Sequence, residues 1–311
     1  MKYFVTGGAG FIGREVVRQL LHAGHTVAIY DDFSFGRQEN IAEFATHPQL
    51  QVHRGKVEDY ATLHGCVAGF GPEVMIHLAA LHYIPYCNKH PLETIRINVE
   101  GTYSVFESCE KAGVGKVVLA STGAIYPNDE NELLESGAAQ PVDVYGCSKH
   151  LDEGVAEYFA RRGRTRVMTI RFFNCYGPYE TNEHLIPEII KQLKLQPHLV
   201  LGNLKTKRDY IYVEDMARGI ILLAQTAKAG PCEVVNLGTG LEYSGEDLVR
   251  SIGRNLGREI EIRVDQARFR PSDKMHQRAS TERLRALTGW VPEVGIEEGL
   301  RRLLRHEGMV S

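Results

Sequence analysis

Two side chains suited to proton transfer, Tyr145 and Lys149, lie four residues apart in the segment VDVYGCSKH. On a helix this spacing places both side chains on one face, one turn apart. A neighbouring ammonium favours the ionised form of a phenol, so the pair predicts that Tyr145 is a general base near neutral pH. Thr122 ends the apolar run KVVLAST and is the third candidate, because its hydroxyl can hold a substrate hydroxyl against Tyr145.

A Tyr and a Lys at this spacing are common on helices, so ordinary surface residues are the alternative interpretation. The catalytic interpretation depends on what accompanies the pair, namely a strand that ends in Thr122 and a glycine-rich turn at the start of the chain. Side chains at the carboxyl ends of parallel strands meet at one edge of a sheet, where ligands bind. The combination therefore predicts an active site at that edge.

The run VTGGAGFIG (residues 5–13) predicts a phosphate-binding turn between a buried strand, residues 2–6, and a helix with apolar residues at helical spacing. In such a turn one glycine permits the tight bend, one lets a phosphate approach the backbone, and one lets the helix pack on the strand. The helix start offers N–H groups and a positive dipole end to a pyrophosphate. The expected cofactor contacts in this turn are Gly7, Gly10, Phe11, Ile12 and Gly13.

The second predicted strand, residues 25–30, ends in Asp31 and Asp32. A carboxylate there accepts hydrogen bonds from both ribose hydroxyls of an adenosine and repels a 2′-phosphate, so the expected cofactor is NAD. A solvated loop acid is the alternative. Small residues at the end of the fourth strand let a flat ligand lie close to the backbone, and the contacts expected there are Leu78, Ala79 and Ala80.

Composition narrows the class of protein. The 311 residues include 36 basic and 39 acidic side chains, a balance that predicts no nucleic-acid partner. We find no long apolar run for a membrane helix and no signal peptide, so no membrane association is expected. The six cysteines form no CxxC pair, which argues against a metal site or a disulfide framework and predicts a reducing, cytoplasmic location.

Strands and helices alternate along the first two thirds of the chain, which predicts an α/β fold with a doubly wound parallel sheet, a Rossmann domain. We expect its strands at residues 2–6, 25–30, 50–55, 73–80, 116–122, 166–173 and 232–238. The expected NAD-binding domain comprises residues 1–174 and about 206–238. A smaller C-terminal α/β substrate domain comprises about 175–205 and 239–311, in which Ser244 caps a helix over 245–256.

Over essentially its whole length the chain resembles the extended short-chain dehydrogenase/reductases, in the branch of nucleotide-sugar epimerases and dehydratases that includes the UDP-glucose 4-epimerases. The motifs that carry the resemblance are TGGAGFIG, YDD, HLAA, NVEGT, STGAIY, YGCSK, RFFNCYGP, KRDYIYVED, RPSD and LTGWVP. The resemblance implies tightly bound NAD and a nucleotide-sugar substrate. It also implies that Thr122, Tyr145 and Lys149 form the catalytic trio.

The resemblance further implies a diphosphate site, for which two guanidinium groups and an amide are suitable chemistry. Its expected substrate contacts are Asn174, Leu185, Arg208, Arg270 and Asp273, with salt bridges of the two arginines to nearby aspartates as the alternative. Many relatives carry an adenine-binding Asp where this chain has Lys56, which leaves backbone contacts from Val57. The helices at 91–112 and 148–162 imply a homodimer.

His82 and Tyr83 replace a run of small polar residues that relatives carry beside the nicotinamide. They are expected to line the sugar pocket, with simple packing as the alternative. Gln277, seven residues after Arg270, is expected at the wall of the same pocket.

The residues after Thr122 bear on the reaction. Similar dehydratases carry Asp and Glu at these two positions, and similar decarboxylases keep the Glu, whereas this chain has Gly123 and Ala124. Neither can transfer a proton, which argues against both reactions and favours 4-epimerisation of a UDP-sugar. The alternatives are a nucleotide-sugar 4-ketoreductase or dehydrogenase, acting on a UDP- or GDP-sugar, and a protein that binds NAD without catalysis.

Overall fold

The computed structural model describes residues 1–129, 131–180, 182–269 and 274–310. Its strands are β1 (Lys2–Thr6), β2 (Thr26–Asp31), β3 (Leu50–Arg54), β4 (Val74–His77), β5 (Lys116–Thr122), β6 (Arg166–Phe172), β7 (Asn174–Tyr176), β8 (His198–Leu201), β9 (Lys207–Tyr212), β10 (Cys232–Leu237), β11 (Glu242–Ser244) and β12 (Glu261–Val264). Its helices are α1 (Phe11–His22), α2 (Gln38–Ile41), α3 (Tyr60–Phe70), α4 (Ile84–Lys89), α5 (Pro91–Ile95), α6 (Gly101–Ala112), α7 (Val144–Arg161), α8 (Leu185–Leu195), α9 (Val213–Gln225), α10 (Gly245–Leu256), α11 (Glu282–Thr288) and α12 (Ile296–His306).

Seven of these strands form one sheet in the order β10-β6-β5-β4-β1-β2-β3, and every neighbouring pair is parallel. The strand order reverses direction between β1 and β4, because β2 and β3 follow β1 on one side while β4, β5 and β6 lie on the other. This reversal opens a crevice at the carboxyl ends of β1 and β4, where ligands of such sheets bind. The predicted doubly wound α/β fold is confirmed.

Side chains of the sheet alternate between two helical layers. On β1, Tyr3 and Val5 belong to the apolar cluster that also contains residues of α1 and α9, whereas Phe4 belongs to the cluster of α3, α6 and α7. Both faces of the strand are therefore buried, as expected for a parallel sheet covered by helices.

The second half of the chain adds two small sheets, of order β11-β9-β7 and β12-β8. Their apolar core includes buried residues of α8, α10 and α12. The helix predicted after Ser244 is confirmed: Ser244 and Asp247 form a reciprocal capping box at the start of α10. The proposed division of the chain into two domains stays a prediction.

Two elements differ from the sequence-based expectation. The helix predicted at 91–112 is interrupted by a π-helical turn, Arg96–Glu100, between α5 and α6. The strand predicted at 73–80 ends at His77, and after it the N–H of Leu78 donates to the Thr6 carbonyl (3.1 Å) and the N–H of Ala79 to the Thr6 hydroxyl (3.3 Å).

Over the described ranges, no helix combines the length and the apolar character needed to cross a membrane. The same part of the chain holds no group of three or more His, Cys, Asp or Glu side chains arranged to bind a metal ion.

Candidate active site

The structure brings Thr122 and Tyr145 together. Thr122 is the last residue of β5, and Tyr145 is the second residue of α7, whose start is capped by Asp143 through a hydrogen bond from the Gly146 N–H (2.7 Å). A hydrogen bond joins the side chains of Thr122 and Tyr145. The Thr122 hydroxyl also accepts the N–H of Ala124 at 3.1 Å, which fixes its orientation.

The electrostatic environment of Tyr145 differs from the sequence-based expectation. Burial raises the pKa of Tyr145 above its ordinary value, and the hydrogen bond with Thr122 offsets only part of this effect. The Nζ of Lys149 lies 2.6 Å from Oδ2 of Asp152, so much of its charge is compensated by a carboxylate. The expectation that Lys149 makes Tyr145 a base near neutral pH therefore stays a prediction, and Asp152 and burial act against it in this structure.

A chain of buried polar groups lies behind this pair. Thr6 Oγ1 is 2.7 Å from Nδ1 of His77, and Nε2 of His77 is 3.1 Å from the Thr102 hydroxyl. The Thr102 hydroxyl in turn faces the carboxyl group of Asp152, whose Oδ1 has no hydrogen-bond partner among the described residues. Burial, together with the charge of Lys149, lowers the pKa of His77 to about 3, so its ring is neutral at physiological pH.

Asn98, which lies in the π-helical turn, positions the segment after β4. Its side-chain oxygen accepts the N–H of Leu81 (2.8 Å), and its amide donates to the Leu81 carbonyl (2.9 Å) and to Ser148 Oγ (2.8 Å). Asn98 thus joins the end of β4 to α7, the helix that carries Tyr145 and Lys149.

Asn98 belongs to the motif NVEGT, which was recognised in the sequence, whereas Asp152 was not predicted as a functional residue. The available signal for Asp152 was a carboxylate three residues after Lys149 on a predicted helix, a spacing at which side chains meet. No sequence signal connects Asp152 with Thr102 or His77, because these contacts join three separate elements.

The glycine-rich turn has the shape that the sequence predicts. Gly7 adopts a φ of +71°, and a Cβ atom there would lie 2.8 Å from the backbone nitrogen of Ala79. At Gly13 a Cβ atom would lie 2.0 Å from the carbonyl oxygen of Gly7, so any side chain would push α1 away from the turn. Gly10 caps α1 without a side-chain hydrogen bond, which leaves the N–H groups of Phe11 and Ile12 without a capping side chain.

Asp31 lies beside this turn at the end of β2 and is 7% exposed, so it is not a solvated loop acid. Its carboxylate accepts the N–H of Ala9 (2.9 Å) and the N–H of Phe33 (2.9 Å). Burial raises the pKa of Asp31, and these two hydrogen bonds counteract the rise. Asp32 instead accepts the N–H and the hydroxyl of Ser34.

The remaining predicted cofactor contacts border the same crevice. Leu78, Ala79 and Ala80 follow β4 directly and are partly buried. Val57 is 5% exposed and packs against α6, where a Cβ atom on Gly101 would lie 2.6 Å from Val57 Cγ2. The side chain of Val57 therefore packs in the core, and its predicted contact with the cofactor is assigned to its backbone atoms.

His82 and Tyr83 join a polar cluster with residues from the second half of the chain. Nε2 of His82 lies 2.8 Å from the amide nitrogen of Asn182, and the rings of His82 and Tyr83 have their centroids about 6 Å from the ring of His184. Nδ1 of His184 lies 2.5 Å from Oε1 of Glu180.

The candidate diphosphate contacts lie on β7 and β9. Asn174 pairs with Tyr210 across these parallel strands, and Arg208 precedes Tyr210 by two residues, so both face the same side of the small sheet. The Arg208 guanidinium donates to the carbonyls of Lys207 (2.8 Å) and Lys274 (2.7 Å).

Leu185 is the first residue of α8 and packs against the core of the small sheets. Arg270 and Asp273, the other two predicted substrate contacts, lie outside the described residues.

A model of the NAD dependent epimerase/dehydratase family matches residues 3–238. The chain belongs to this family. The match spans the glycine-rich turn, Asp31, Thr122, Tyr145 and Lys149, so NAD, the cofactor predicted from Asp31, is the cofactor of the family.

Members of the family that resemble this chain catalyse different reactions. UDP-glucose 4-epimerase of Mycolicibacterium smegmatis is 30% identical over 316 residues, which cover 97% of each chain. UDP-glucuronic acid decarboxylase 2 of Arabidopsis thaliana is 27% identical, with coverage of 98% of this chain and 68% of that protein. The crystal structure of UDP-glucose 4-epimerase from Thermotoga maritima with UDP-glucose has a TM-score of 0.89 at 27% identity and covers 99% of both chains.

Proposed function

We propose that the protein is a nucleotide-sugar 4-epimerase that acts on a UDP-sugar. The observation that carries this proposal is the environment of Gly123, which follows Thr122. A Cβ atom on Gly123 would lie 3.1 Å from Nε2 of Gln277 and 3.4 Å from the ring of Phe173. Position 123 therefore offers no acid, its Cβ position faces Gln277 and Phe173, and Ala124 beside it carries no titratable group. Without an acidic side chain at these two positions, the site lacks the proton donors that dehydration and decarboxylation require.

The residues present are sufficient for inversion at C4. Tyr145, hydrogen-bonded to Thr122, is placed to accept the proton of the sugar 4-hydroxyl while C4 is oxidised. Lys149 stabilises the phenolate form of Tyr145, which is the form that accepts this proton. The 4-keto sugar then turns over, Tyr145 returns the proton, and the configuration at C4 is inverted.

The cofactor site fits NAD. The close approach of Gly13 to Gly7, the start of α1 without a capping side chain, and buried Asp31 at the end of β2 form a cradle for a dinucleotide. NAD supplies the acceptor and donor for the C4 hydride when it is bound. Asp31 then has capacity left to accept ribose hydroxyls, because each carboxylate oxygen accepts more than one hydrogen bond.

The substrate must stay anchored while its sugar turns. Asn174 and Arg208 on neighbouring strands are the proposed diphosphate ligands, with Arg270 as a third. A UDP carrier is favoured because the Thermotoga maritima relative was crystallised with UDP-glucose. Gln277 beside Gly123 and the cluster of His82, Tyr83 and His184 are proposed to border the sugar.

The experiment that tests the proposal uses purified protein with no cofactor added. It is incubated with UDP-glucose, UDP-galactose, UDP-N-acetylglucosamine, UDP-glucuronate and GDP-mannose, and inversion at C4 is followed by NMR. We expect inversion of at least one UDP-sugar by the wild type and none by Tyr145→Phe, with NAD binding retained in that variant. Net oxidation or reduction that consumes added NAD or NADH, without inversion, would identify a dehydrogenase or ketoreductase instead.

We also propose a homodimer formed through α6 and α7. Leu151 and Tyr158 are 46% and 48% exposed on α7, and Tyr103 on α6 is 45% exposed, so the two helices present an apolar surface. A second copy of the chain is the proposed partner. Sedimentation should give the mass of two chains for the wild type and of one chain for Leu151→Glu. A wild-type mass of one chain would refute the proposal.

A further inference from the structure

Lys149 is held by a carboxylate that the proposed reaction does not use. Its Nζ lies 2.6 Å from Oδ2 of Asp152, and the two side chains are 2% and 0% exposed. An ion pair buried this deeply adds little net stability, because the cost of removing both charges from water offsets their attraction. Such a pair one turn from a proton-transfer group is therefore a candidate for a role in the chemistry.

The groups around Asp152 come from three elements. On α7 they are Lys149 and the carboxylate of Glu153, which is itself paired with Arg171 at 2.8 Å. From α6 the Thr102 hydroxyl meets the Asp152 carboxyl group, and from β4 His77 meets Thr102 with a neutral ring. Among these groups, Lys149 carries the positive charge that the Asp152 carboxylate compensates.

Asp152 also acts on Tyr145. Together with Cys87 of α4 and Asp143 at the start of α7, it disfavours the Tyr145 phenolate, and by compensating Lys149 it reduces the positive charge that would stabilise that phenolate. We propose that Asp152 is a positioning residue for the reaction, which fixes the Lys149 ammonium through the buried ion pair and limits how strongly that ammonium favours the Tyr145 phenolate. This inference rests on the proposed role of Tyr145 as proton acceptor.

Burial raises the pKa of Asp152 to about 6, although Lys149 counteracts the rise. At neutral pH the carboxylate is therefore charged and compensates Lys149. Replacement of Asp152 by Asn removes that charge with little change in size, so the variant reproduces the neutral state of the site at every pH.

The test compares the ionisation of Tyr145 in the wild type and in Asp152→Asn. The Tyr145 phenolate is followed by its ultraviolet absorbance, as the difference between each protein and the same protein carrying Tyr145→Phe. We expect the Asp152→Asn titration to move to lower pH by about one unit, since a neighbouring negative charge has been removed. The acidic limb of the pH profile of kcat should move in the same direction.

Two further variants separate charge from structure. Asp152→Glu keeps the negative charge and should titrate like the wild type. Glu157→Gln removes an exposed carboxylate of α7 that pairs with Arg161 on the helix surface, and it should also titrate like the wild type. Asp152→Ser, which removes the charge in a smaller side chain, replaces Asp152→Asn if the amide is not accommodated.

A titration of Tyr145 in Asp152→Asn that coincides with the wild type would overturn the inference. The absorbance measurement needs no sugar substrate, so it separates this outcome from failure of the proposed function. Absence of C4 inversion in the substrate panel, together with a shifted Tyr145 titration, would reject the epimerase and retain the control of Tyr145 by Asp152.

Discussion

Both carboxylate oxygens of Glu153 bind the guanidinium of Arg171. Nε donates to Oε1 at 2.9 Å and Nη2 donates to Oε2 at 2.8 Å, with 8% of the Arg171 side chain and 11% of the Glu153 side chain exposed. Ser121 on β5 donates to Oε1 of Glu153 as well (2.6 Å), and Arg171 donates to the hydroxyl of Tyr126 (2.7 Å). This network joins α7 to β5 and β6 directly beside the candidate catalytic residues.

Replacement of Glu153 by Ala should lower the free energy of unfolding by about 3–5 kcal/mol, because it leaves the Arg171 guanidinium buried without its counter-charge. Urea denaturation measures the loss. Glu157→Gln on the exposed face of the same helix is the control and should change stability by less than about 0.5 kcal/mol. A loss below about 1 kcal/mol for Glu153→Ala would show that the network does not hold α7 in place.

The glycine-rich turn yields a matched pair of variants. Gly13→Ala should destabilise the protein by about 1–3 kcal/mol and weaken NAD binding at least about tenfold, because the new methyl group meets the Gly7 carbonyl at 2.0 Å. Gly65→Ala, inside α3 with open space around its Cβ position, should stabilise the protein by about 0.5–1 kcal/mol. Calorimetric titration with NAD and thermal unfolding check both results. Unchanged NAD affinity in Gly13→Ala would contradict the proposed cradle.

The buried ring of His77 predicts a loss of stability in acid. With its pKa lowered to about 3, the folded state stays neutral while the unfolded state, with a pKa of about 6.5, takes up a proton. The neutral His77 ring therefore makes its full contribution to the free energy of unfolding above pH ~6.5, and this contribution is lost as the pH falls towards 3. Integration of this difference gives a loss of about 2 kcal/mol between pH 7 and pH 5.

His77→Gln should accordingly lose about 2 kcal/mol less than the wild type between these two pH values, although it is less stable at pH 7. Urea denaturation at pH 5 and pH 7 measures the difference. His22→Gln, at an exposed position in α1, is the control and should follow the wild type. Equal losses in His77→Gln and the wild type would mean that the ring is charged in the fold.

Asp209 on β9 holds the loop that follows β10. Its carboxylate accepts the N–H and hydroxyl of Thr239 (both 2.7 Å) and the N–H groups of Gly240 (2.8 Å) and Ala279 (3.2 Å). Asp209→Asn turns an amide NH₂ towards these donors, so we expect a loss of about 2–4 kcal/mol. Asp265→Asn, with its side chain 40% exposed, is the control and should lose less than about 1 kcal/mol. Denaturation curves of equal midpoint would contradict the expectation.

Patterns confined to a short stretch of sequence predicted the structure well. The bounds expected for β5 agree with the observed Lys116–Thr122, and Ser244 caps α10 as expected. An apolar strand bounded by turns, an amphipathic period and a capping residue each act through neighbours in the chain. Such features can therefore be predicted from a single sequence.

Features that depend on distant partners were not predicted. The π-helical turn places Asn98 against the backbone of Leu81, a partner 17 residues earlier, and no local pattern specifies that contact. The state of Tyr145 depends on its burial and on the pairing of Lys149 with Asp152, which the spacing of Tyr145 and Lys149 alone does not show. The candidate site residues were thus named from the sequence alone, whereas their electrostatic environment required the fold.

The place of β10 in the main sheet has a consequence for synthesis of the chain on the ribosome. β10 covers the outer edge of β6, yet its residues, Cys232–Leu237, follow β6 by about 60 positions. Until they emerge, β6 presents an unpaired strand edge, a template for association with other chains. A nascent chain or fragment that stops after β6 should therefore aggregate, whereas release of residues up to 237 closes the edge.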